Sequence, residues 1–529
     1  MRTQVLIIGG GVSGTGLARD LALRGIACVL AEKRDINAGA SGGNHGLLHS
    51  GARYVASDPA AARECQSENR RLKKLAAHCI ENAGGLFVAV AGDDERYIAE
   101  FPNLCSRCGI SARPLPPNEA RAMEPALAEN VIAAFAVDDA TLDPFKLSLD
   151  NIASALRSGG RLLRHHQVVG FDINAGRIRS ARLRDVLTGR SRRVEADVVV
   201  NAAGAWAGQV ASLAGATVAM RYSKGSLLVT QSRIAQRVLN RLRPPGNGDI
   251  LVPGGTVSIL GTTSERVASP DAIRPEIHEL DAIIAEGAAM VPELASTRYI
   301  RAYCGVRPLL GDADSPDDQS DRNVSRGFVL IDHERQPEKL ANLITVTGGK
   351  LTTYRLMAEK AGDRVCGKLA IESPCRTRLE PLPDAVEARW TEPGLAPRLW
   401  LRRDDPEDHL LCECEMVPQS AVEEIVQGLR RQGGRPGLTA IGLRSRVGKG
   451  PCQGTFCSQR VTARLYDRRH LGGQEGVAEL RAFLRERWRG QRPLLWDESL
   501  AQAELLEATH CGFFGLELGA PPAQPPGDP

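Results

Sequence analysis

Two groups of residues in this chain have types and spacings suited to redox chemistry. Near the C-terminus Cys412 and Cys414 form a C-x-C pair and Cys452 and Cys457 a C-x4-C pair, with 37 residues between the pairs. Four thiolates, two to each iron, are what a [2Fe-2S] centre requires. Zinc ribbons and fingers favour C-x2-C or C-x4-C in both halves, so structural zinc is the second reading. Four unrelated thiols are the third, because cysteine is common in protein interiors. At the opposite end Val5-Leu6-Ile7-Ile8 reads as a buried strand, Gly9-Gly10-Gly11-Val12-Ser13-Gly14 satisfies G-x-G-x-x-G, and helix-compatible residues run from Thr15 to Leu23. Strand, glycine turn and helix in that order form a dinucleotide site, in which the backbone approaches a pyrophosphate and the helix start offers unpaired N–H groups.

A second strand, Ala27 to Leu30, leads to Glu32, whose carboxylate suits a ribose 2'-hydroxyl. This fingerprint does not separate FAD from NAD. Two later segments favour FAD: Glu195-Ala-Asp-Val-Val-Val-Asn-Ala-Ala-Gly204 runs from strand into glycine turn, and Leu343-Ile-Thr-Val-Thr-Gly-Gly349 does so again before a helix near Lys350. A long flavin dinucleotide in a cleft needs backbone contacts from several strand ends. Ordinary buried strands with glycine exits are the plainer alternative.

These residues need a scaffold, and the predicted class is α/β: a doubly wound, Rossmann-like FAD-binding domain, an antiparallel substrate sheet and a small C-terminal [2Fe-2S] domain. At 529 residues and 56.9 kDa the chain has room for roughly three domains. Residues 1–217 and 333–373 are assigned to the FAD domain and 218–332 to the substrate domain, on the strand patterns Ser226–Thr230, Asp249–Pro253, Val257–Thr262 and Gly327–Asp332. Six prolines between Pro374 and Pro406 mark a linker over 374–410. The cysteine domain follows over 411–466, then a helical segment over 467–517 and a tail over 518–529 read as disordered.

Sixty-seven basic against 63 acidic residues leave a formal charge of +4, too slight to argue for nucleic acid or a membrane surface. Thirteen cysteines without a disulfide-like framework, and no apolar leader at the N-terminus, predict a cytoplasmic chain. Cys105 and Cys108, a lone C-x2-C, read as ordinary thiols. No apolar run approaches the roughly 18 residues of a membrane span.

The stretches Asn44-His-Gly-Leu-Leu-His-Ser-Gly-Ala-Arg-Tyr54, Tyr303-Cys-Gly-Val-Arg-Pro-Leu309 and Thr347-Gly-Gly-Lys-Leu-Thr-Thr-Tyr-Arg355 closely resemble the FAD-dependent glycerol-3-phosphate dehydrogenases. The cysteine tail is similar to a bacterioferritin-associated-ferredoxin type of domain. With it the resemblance narrows to the A subunit of the anaerobic type and reaches to about residue 517. It implies oxidation of glycerol 3-phosphate to dihydroxyacetone phosphate by hydride transfer to FAD. Electrons then pass through the [2Fe-2S] centre to a membrane quinone by way of partner subunits, which would hold the chain at the inner face of the membrane.

The cofactor contacts expected from these segments are Gly9, Gly11, Ser13, Gly14, Glu32, Lys33, Ser41, Asn44, Gly46, Leu48, Ala203, Gly204, Gly348, Gly349, Lys350, Leu351 and Thr352. Arg53, Tyr54, Arg307, Arg326, Lys350 and Thr352 are the expected substrate contacts, since arginine offers paired N–H donors to phosphate and lysine a compact charge. Removing hydride from C2 requires a base for the hydroxyl proton, and the candidates are His45, His49, His333 and Arg307. Histidine, with an intrinsic pKa of about 6.5, suits the task. Two rival classes stand beside this reading: an amine or 2-hydroxy acid oxidoreductase of the same flavin fold, and a non-catalytic electron-transfer protein.

Overall fold

The computed structural model describes residues 1–271, 273–311, 327–383, 404–432 and 434–516. It divides into two compact units, the first taking most of the chain up to Arg389 and the second the cysteine-bearing remainder.

The first unit is built on a parallel sheet in which 161–164, 28–32, 2–8, 191–201 and 343–348 lie side by side, with 328–332 added antiparallel at the edge. Val5 and Ile7 face one side and Leu6 and Ile8 the other, and all four are buried, which explains an unbroken apolar run in place of alternation. Helices Val12–Leu23 and Tyr354–Leu369 cover one face through Leu17, Leu21, Met357 and Val365. A Cβ at Gly16 would come within 2.8 Å of the Tyr354 ring, so that glycine sets how closely the two helices approach. The hairpin 166–185 covers the opposite face with Phe171, Ile178 and Leu183, joined by Ala207 and Ala211 of the helix Ala207–Ser212.

A second, nine-stranded sheet is largely antiparallel, with Val238–Arg241 running parallel to Gly85–Val90. Its membership departs from the expected bounds in two ways. Gly85–Val90, Arg113–Leu115 and Val131–Val137, expected within the FAD domain, form one side of this sheet. Phe328–Asp332, expected within the substrate sheet, pairs instead with Leu343–Gly348. Strand pairing over such separations leaves no local mark in the sequence.

The segment expected to begin the linker is also packed. Leu382 is buried in a core cluster, Thr377 donates to Asp20, and Arg19 donates to the carbonyls of Glu380 and Pro381, each at 3.0 Å. Residues 384–403 lie outside the described residues, as does the expected tail.

The second unit has its own core. Val422, Ile425, Val426 and Leu429 form the buried stripe of the helix Gln419–Arg431. They meet Cys457, Val461 and Leu465 of the helix Cys457–Asp467 and Leu480, Phe483 and Leu484 of the helix Glu475–Gln491. The segment expected as a separate helical piece after 466 therefore shares the core of the cysteine domain.

In the first unit Arg355 ties two elements together. It donates to both oxygens of Glu68 at 2.7 Å and to Glu359 at 2.6 Å, with all three groups buried. Burial alone would raise Glu359, but hydrogen bonds and charge from Arg378 and Arg355 hold it down to about 2. A depressed carboxylate contributes stability that is present above its ordinary value of about 4.3 and is lost as pH falls towards the folded value. Arg355→Met is expected to cost about 3–5 kcal/mol in urea unfolding at pH 7, because it takes the buried partner from two buried carboxylates and leaves them only Arg71 and Arg378. The fall in stability between about pH 5 and pH 3 should be shallower in the variant than in the parent.

Candidate functional site

The parallel register sets strand ends level: Ile8 lies opposite Ala31 and Asn201, and Asn201 opposite Thr345. The glycine turn, Glu32, Ala202–Gly204 and Gly348–Gly349 consequently converge on one cleft of about 720 Å³ at the C-terminal edge of the sheet. Gly9 sits at φ +113°, where a Cβ would lie 2.5 Å from the Ala202 carbonyl oxygen, and a Cβ on Gly14 would lie 1.9 Å from the Gly9 oxygen. No side chain fits at either position, so the turn exposes bare backbone to the cleft.

Gly10 N–H donates to Glu32 Oε2 at 2.6 Å, and Arg34 N–H to Oε1 at 2.7 Å. Val12 N–H, at the start of the first helix, donates to Ser41 Oγ at 2.9 Å. Asn44 is used in shaping its loop: its amide donates to Ala40 and Ser41 carbonyls, its oxygen accepts from Gly46 N–H, and its own carbonyl accepts from the Tyr303 hydroxyl. Lys33 lies 4.4 Å from the centre of the Trp206 ring and 3.6 Å from Asp271.

Further along the cleft stand His45, His49, Arg53, Tyr54, Arg307 and Lys350. Arg53 Nη2 pairs with Asp249 at 2.9 Å, while its buried Nη1 has no partner among the described residues. Burial would raise Asp249, but the guanidiniums of Arg53 and Arg243 outweigh it and hold the carboxyl below its ordinary value. Arg307 donates to the hydroxyls of Ser223 and Thr262, and Gly225 leaves it room, since a Cβ there would lie 2.6 Å from Nη2. Lys350 Nζ is 4.5 Å from the centre of the Tyr54 ring, and the Tyr54 hydroxyl is 3.3 Å from His49 Nε2. The His45 ring leaves Nδ1 without a partner among the described residues; burial, then Arg307 and Arg53, pushes it down to about 3, so it is neutral at pH 7.

Most of the expected site residues line this cleft, and five do not. His333 is fully buried in the strand layer, with Nδ1 on Glu338 and Nε2 2.9 Å from Thr345 Oγ1, so both ring nitrogens are committed. Thr352 accepts from His49 N–H at 3.1 Å and supports the cleft from behind. Leu48 belongs to a hydrophobic cluster, Gly46 meets the Leu142 carbonyl, and Gly14 faces Gly9. Arg326 lies outside the described residues. Sequence reasoning missed Trp206, His166–Val169 and Thr262, which also line the cleft. Trp206 follows the Gly204 turn by two residues, a local signal that was available; the hairpin residues carried none.

In the second unit the four cysteine sulfurs face one another. Cys414 Sγ lies 3.8 Å from Cys412 Sγ and 3.7 Å from Cys452 Sγ, and Cys457 adjoins both Cys412 and Cys452. Backbone N–H groups of Gly454 and Phe456 point at the Cys452 sulfur, Gly448 at Cys457 and Glu415 at Cys412. Amide donors aimed at sulfur stabilise thiolates, so this donor set fits a metal centre held by four cysteines.

Residues 4–358 match the family described as FAD dependent oxidoreductase. Over 97% of its length the chain is 42% identical to the A subunit of anaerobic glycerol-3-phosphate dehydrogenase from Escherichia coli (strain K12), covering 97% of that protein. It is 37% identical to the A1 subunit of the Haloferax volcanii enzyme of the same name, covering 97% of this chain and 91% of that one. The chain belongs to this anaerobic glycerol-3-phosphate dehydrogenase family. It is thereby an FAD-dependent oxidoreductase, and the cleft is where such a cofactor fits. Among solved structures, glycerol-3-phosphate dehydrogenase from Bacillus halodurans complexed with FAD superposes with a TM-score of 0.62 at 20% identity, covering 94% of this chain and 97% of that one. Glycine oxidase from Geobacillus kaustophilus gives 0.58 at 20% identity over 72% of this chain and 98% of that one. These two likenesses establish the fold alone.

A close backbone approach shapes the part of the cleft that holds Arg307. A Cβ on Gly305 would lie 2.2 Å from the Gly43 carbonyl oxygen. Gly305→Ala is expected to displace the 39–45 loop and cost about 1–3 kcal/mol, read as a lower melting temperature together with reduced flavin per chain.

Proposed function

We propose that this chain oxidises sn-glycerol 3-phosphate to dihydroxyacetone phosphate at the FAD cleft. Electrons would leave through a [2Fe-2S] centre on Cys412, Cys414, Cys452 and Cys457 towards a membrane quinone, carried by partner subunits. The observation that carries the reading is the neutral His45 ring standing among Arg53, Arg307 and Lys350 in the cleft that begins at the glycine turn. The names of the relatives support the same substrate, and by calling each a subunit they imply partners. No helix among the described residues is long and apolar enough to cross a membrane, so the link to a quinone falls to those partners.

Bound FAD supplies a hydride acceptor. Gly9–Ser13, Ser41, Glu32, Ala203–Gly204 and Gly348–Leu351 would hold it, with Lys33 and Trp206 at its edge. Arg53 and Arg307 bind the substrate phosphate, Arg53 through its Nη1, and Lys350 with Tyr54 closes the site around it. His45 takes the proton from the C2 hydroxyl. Phosphate binding would strengthen that base, because an arriving dianion neutralises the two guanidiniums that hold the imidazole down. Ser223 and Thr262 keep Arg307 pointed, and Asp249 does the same for Arg53.

Anaerobic addition of glycerol 3-phosphate to the FAD-loaded protein is expected to bleach the visible flavin band, and an unchanged band would refute the reading. Arg307→Ala should raise KM for glycerol 3-phosphate by roughly ten- to a hundredfold, the worth of a charged hydrogen bond. His45→Asn should lower kcat by on the order of 10²–10⁴-fold with a small change in KM. Cys457→Ser is expected to lose iron and its absorbance while flavin reduction by substrate persists. Full iron in that variant would exclude Cys457 as a ligand.

A further inference from the structure

A half-buried cation with no ion pair among the described residues packs, through one aromatic ring, against the loops that carry the four thiols. Arg487 lies on the helix Glu475–Gln491, its guanidinium 5.1 Å from the centre of the Phe483 ring. Phe483 in turn packs on the loops that carry the thiols: a Cβ on Gly448 would lie 2.3 Å, and on Gly454 2.6 Å, from that ring. Gly448 and Gly454 are the residues whose N–H groups point at Cys457 and Cys452. The Arg487 guanidinium interacts with Cys457 through its charge.

Two other cations near these loops, Arg446 and Arg460, are held by carboxylates, and Lys449 donates to the Ser445 carbonyl. Arg446 forms a largely buried ion pair with Glu415 at 2.9 Å, and Arg460 pairs with Glu413 at 2.9 Å. Arg487 forms no ion pair among the described residues, and its Nε is buried without a hydrogen-bond partner there. The neighbouring Glu486 is bound to Arg489 at 2.7 Å and to Arg301 at 2.9 Å. Burial holds the Arg487 guanidinium below its ordinary value, to about 9, which still leaves it charged at pH 7. An unpaired charge taken out of water is costly, and a helix position is easily filled by an apolar residue at no such cost.

We propose that Arg487 is the counter-charge of the metal centre and sets its reduction potential, acting as a positioning residue through charge and not as a ligand. This rests on the [2Fe-2S] reading of the centre. Adding one electron, delivered from the reduced flavin, adds one negative charge and no proton to the four-thiolate centre. A fixed cation close by in a low-dielectric core stabilises that reduced state more than the oxidised one and so raises the potential.

The test is a redox titration of the full-length protein, followed by electron paramagnetic resonance, with iron and flavin counted in each preparation. Arg487→Met is expected to shift the reduction equilibrium at least tenfold towards the oxidised state, about 59 mV for one electron, at unchanged iron and flavin content. Arg487→Lys, which keeps the charge, should stay within about threefold of the parent. An unchanged midpoint in the Met variant at full iron content overturns the proposal. Loss of iron in both Met and Gln variants, with Lys behaving as the parent, also overturns it, since the guanidinium would then build the site rather than tune it. A parent protein that binds no iron would instead refute the cluster reading on which this depends.

Discussion

The arrangement on which the rest of the first unit depends is the parallel register of four strands that brings Ile8, Glu32, Asn201 and Gly348 to one edge of the sheet. Parallel strands all end in the same direction, so their exit turns, with backbone N–H groups no longer paired in the ladder, gather in one place. Glycines at positions 9 and 14 keep that place free of side chains. The strand Tyr299–Leu310, which bears Arg307, belongs to the second sheet, and its Gly305 meets Gly43 backbone to backbone. The cleft is thus lined both by the strand ends of the parallel sheet and by this strand of the second one.

Within that cleft the charges are held by partners of different kinds, and the difference matters for chemistry. Asp249 offsets part of the Arg53 charge and fixes its direction, leaving Nη1 buried without a hydrogen-bond partner among the described residues. Neutral hydroxyls of Ser223 and Thr262 direct Arg307. Burial and these two guanidiniums keep the His45 imidazole neutral at pH 7. In the cysteine unit, backbone amides of Glu415, Gly448, Gly454 and Phe456 point at the sulfurs of Cys412, Cys457 and Cys452.

Much of the site was legible because its signals are local. The glycine turn, Glu32 after the second strand, the glycine exits at 204 and 348, and each of the two cysteine pairs follow from residues a few positions apart, although 37 residues separate the pairs. The errors were all long-range. His333 reads like a base from its type, yet Glu338 and Thr345 occupy both its nitrogens. Residues 85–137 alternate strand and helix like their neighbours, and only pairing with Val238–Arg241 reveals that they belong to the second sheet. Leu382 follows a run of turn residues, but its side chain fills a hole in the core of the first unit.

By itself the sequence determined which residue types are available and where the backbone must turn, because glycine geometry, strand hydrophobicity and thiol spacing act over a few residues. Tertiary structure alone decided that Arg53 and Arg307 share a cleft with His45, that Thr352 stands behind it, and that Arg487 lies by the thiols. Those juxtapositions join positions far apart in the chain. They are set by strand register and by which side chains fill the space between elements, and neither is written in any short stretch of sequence.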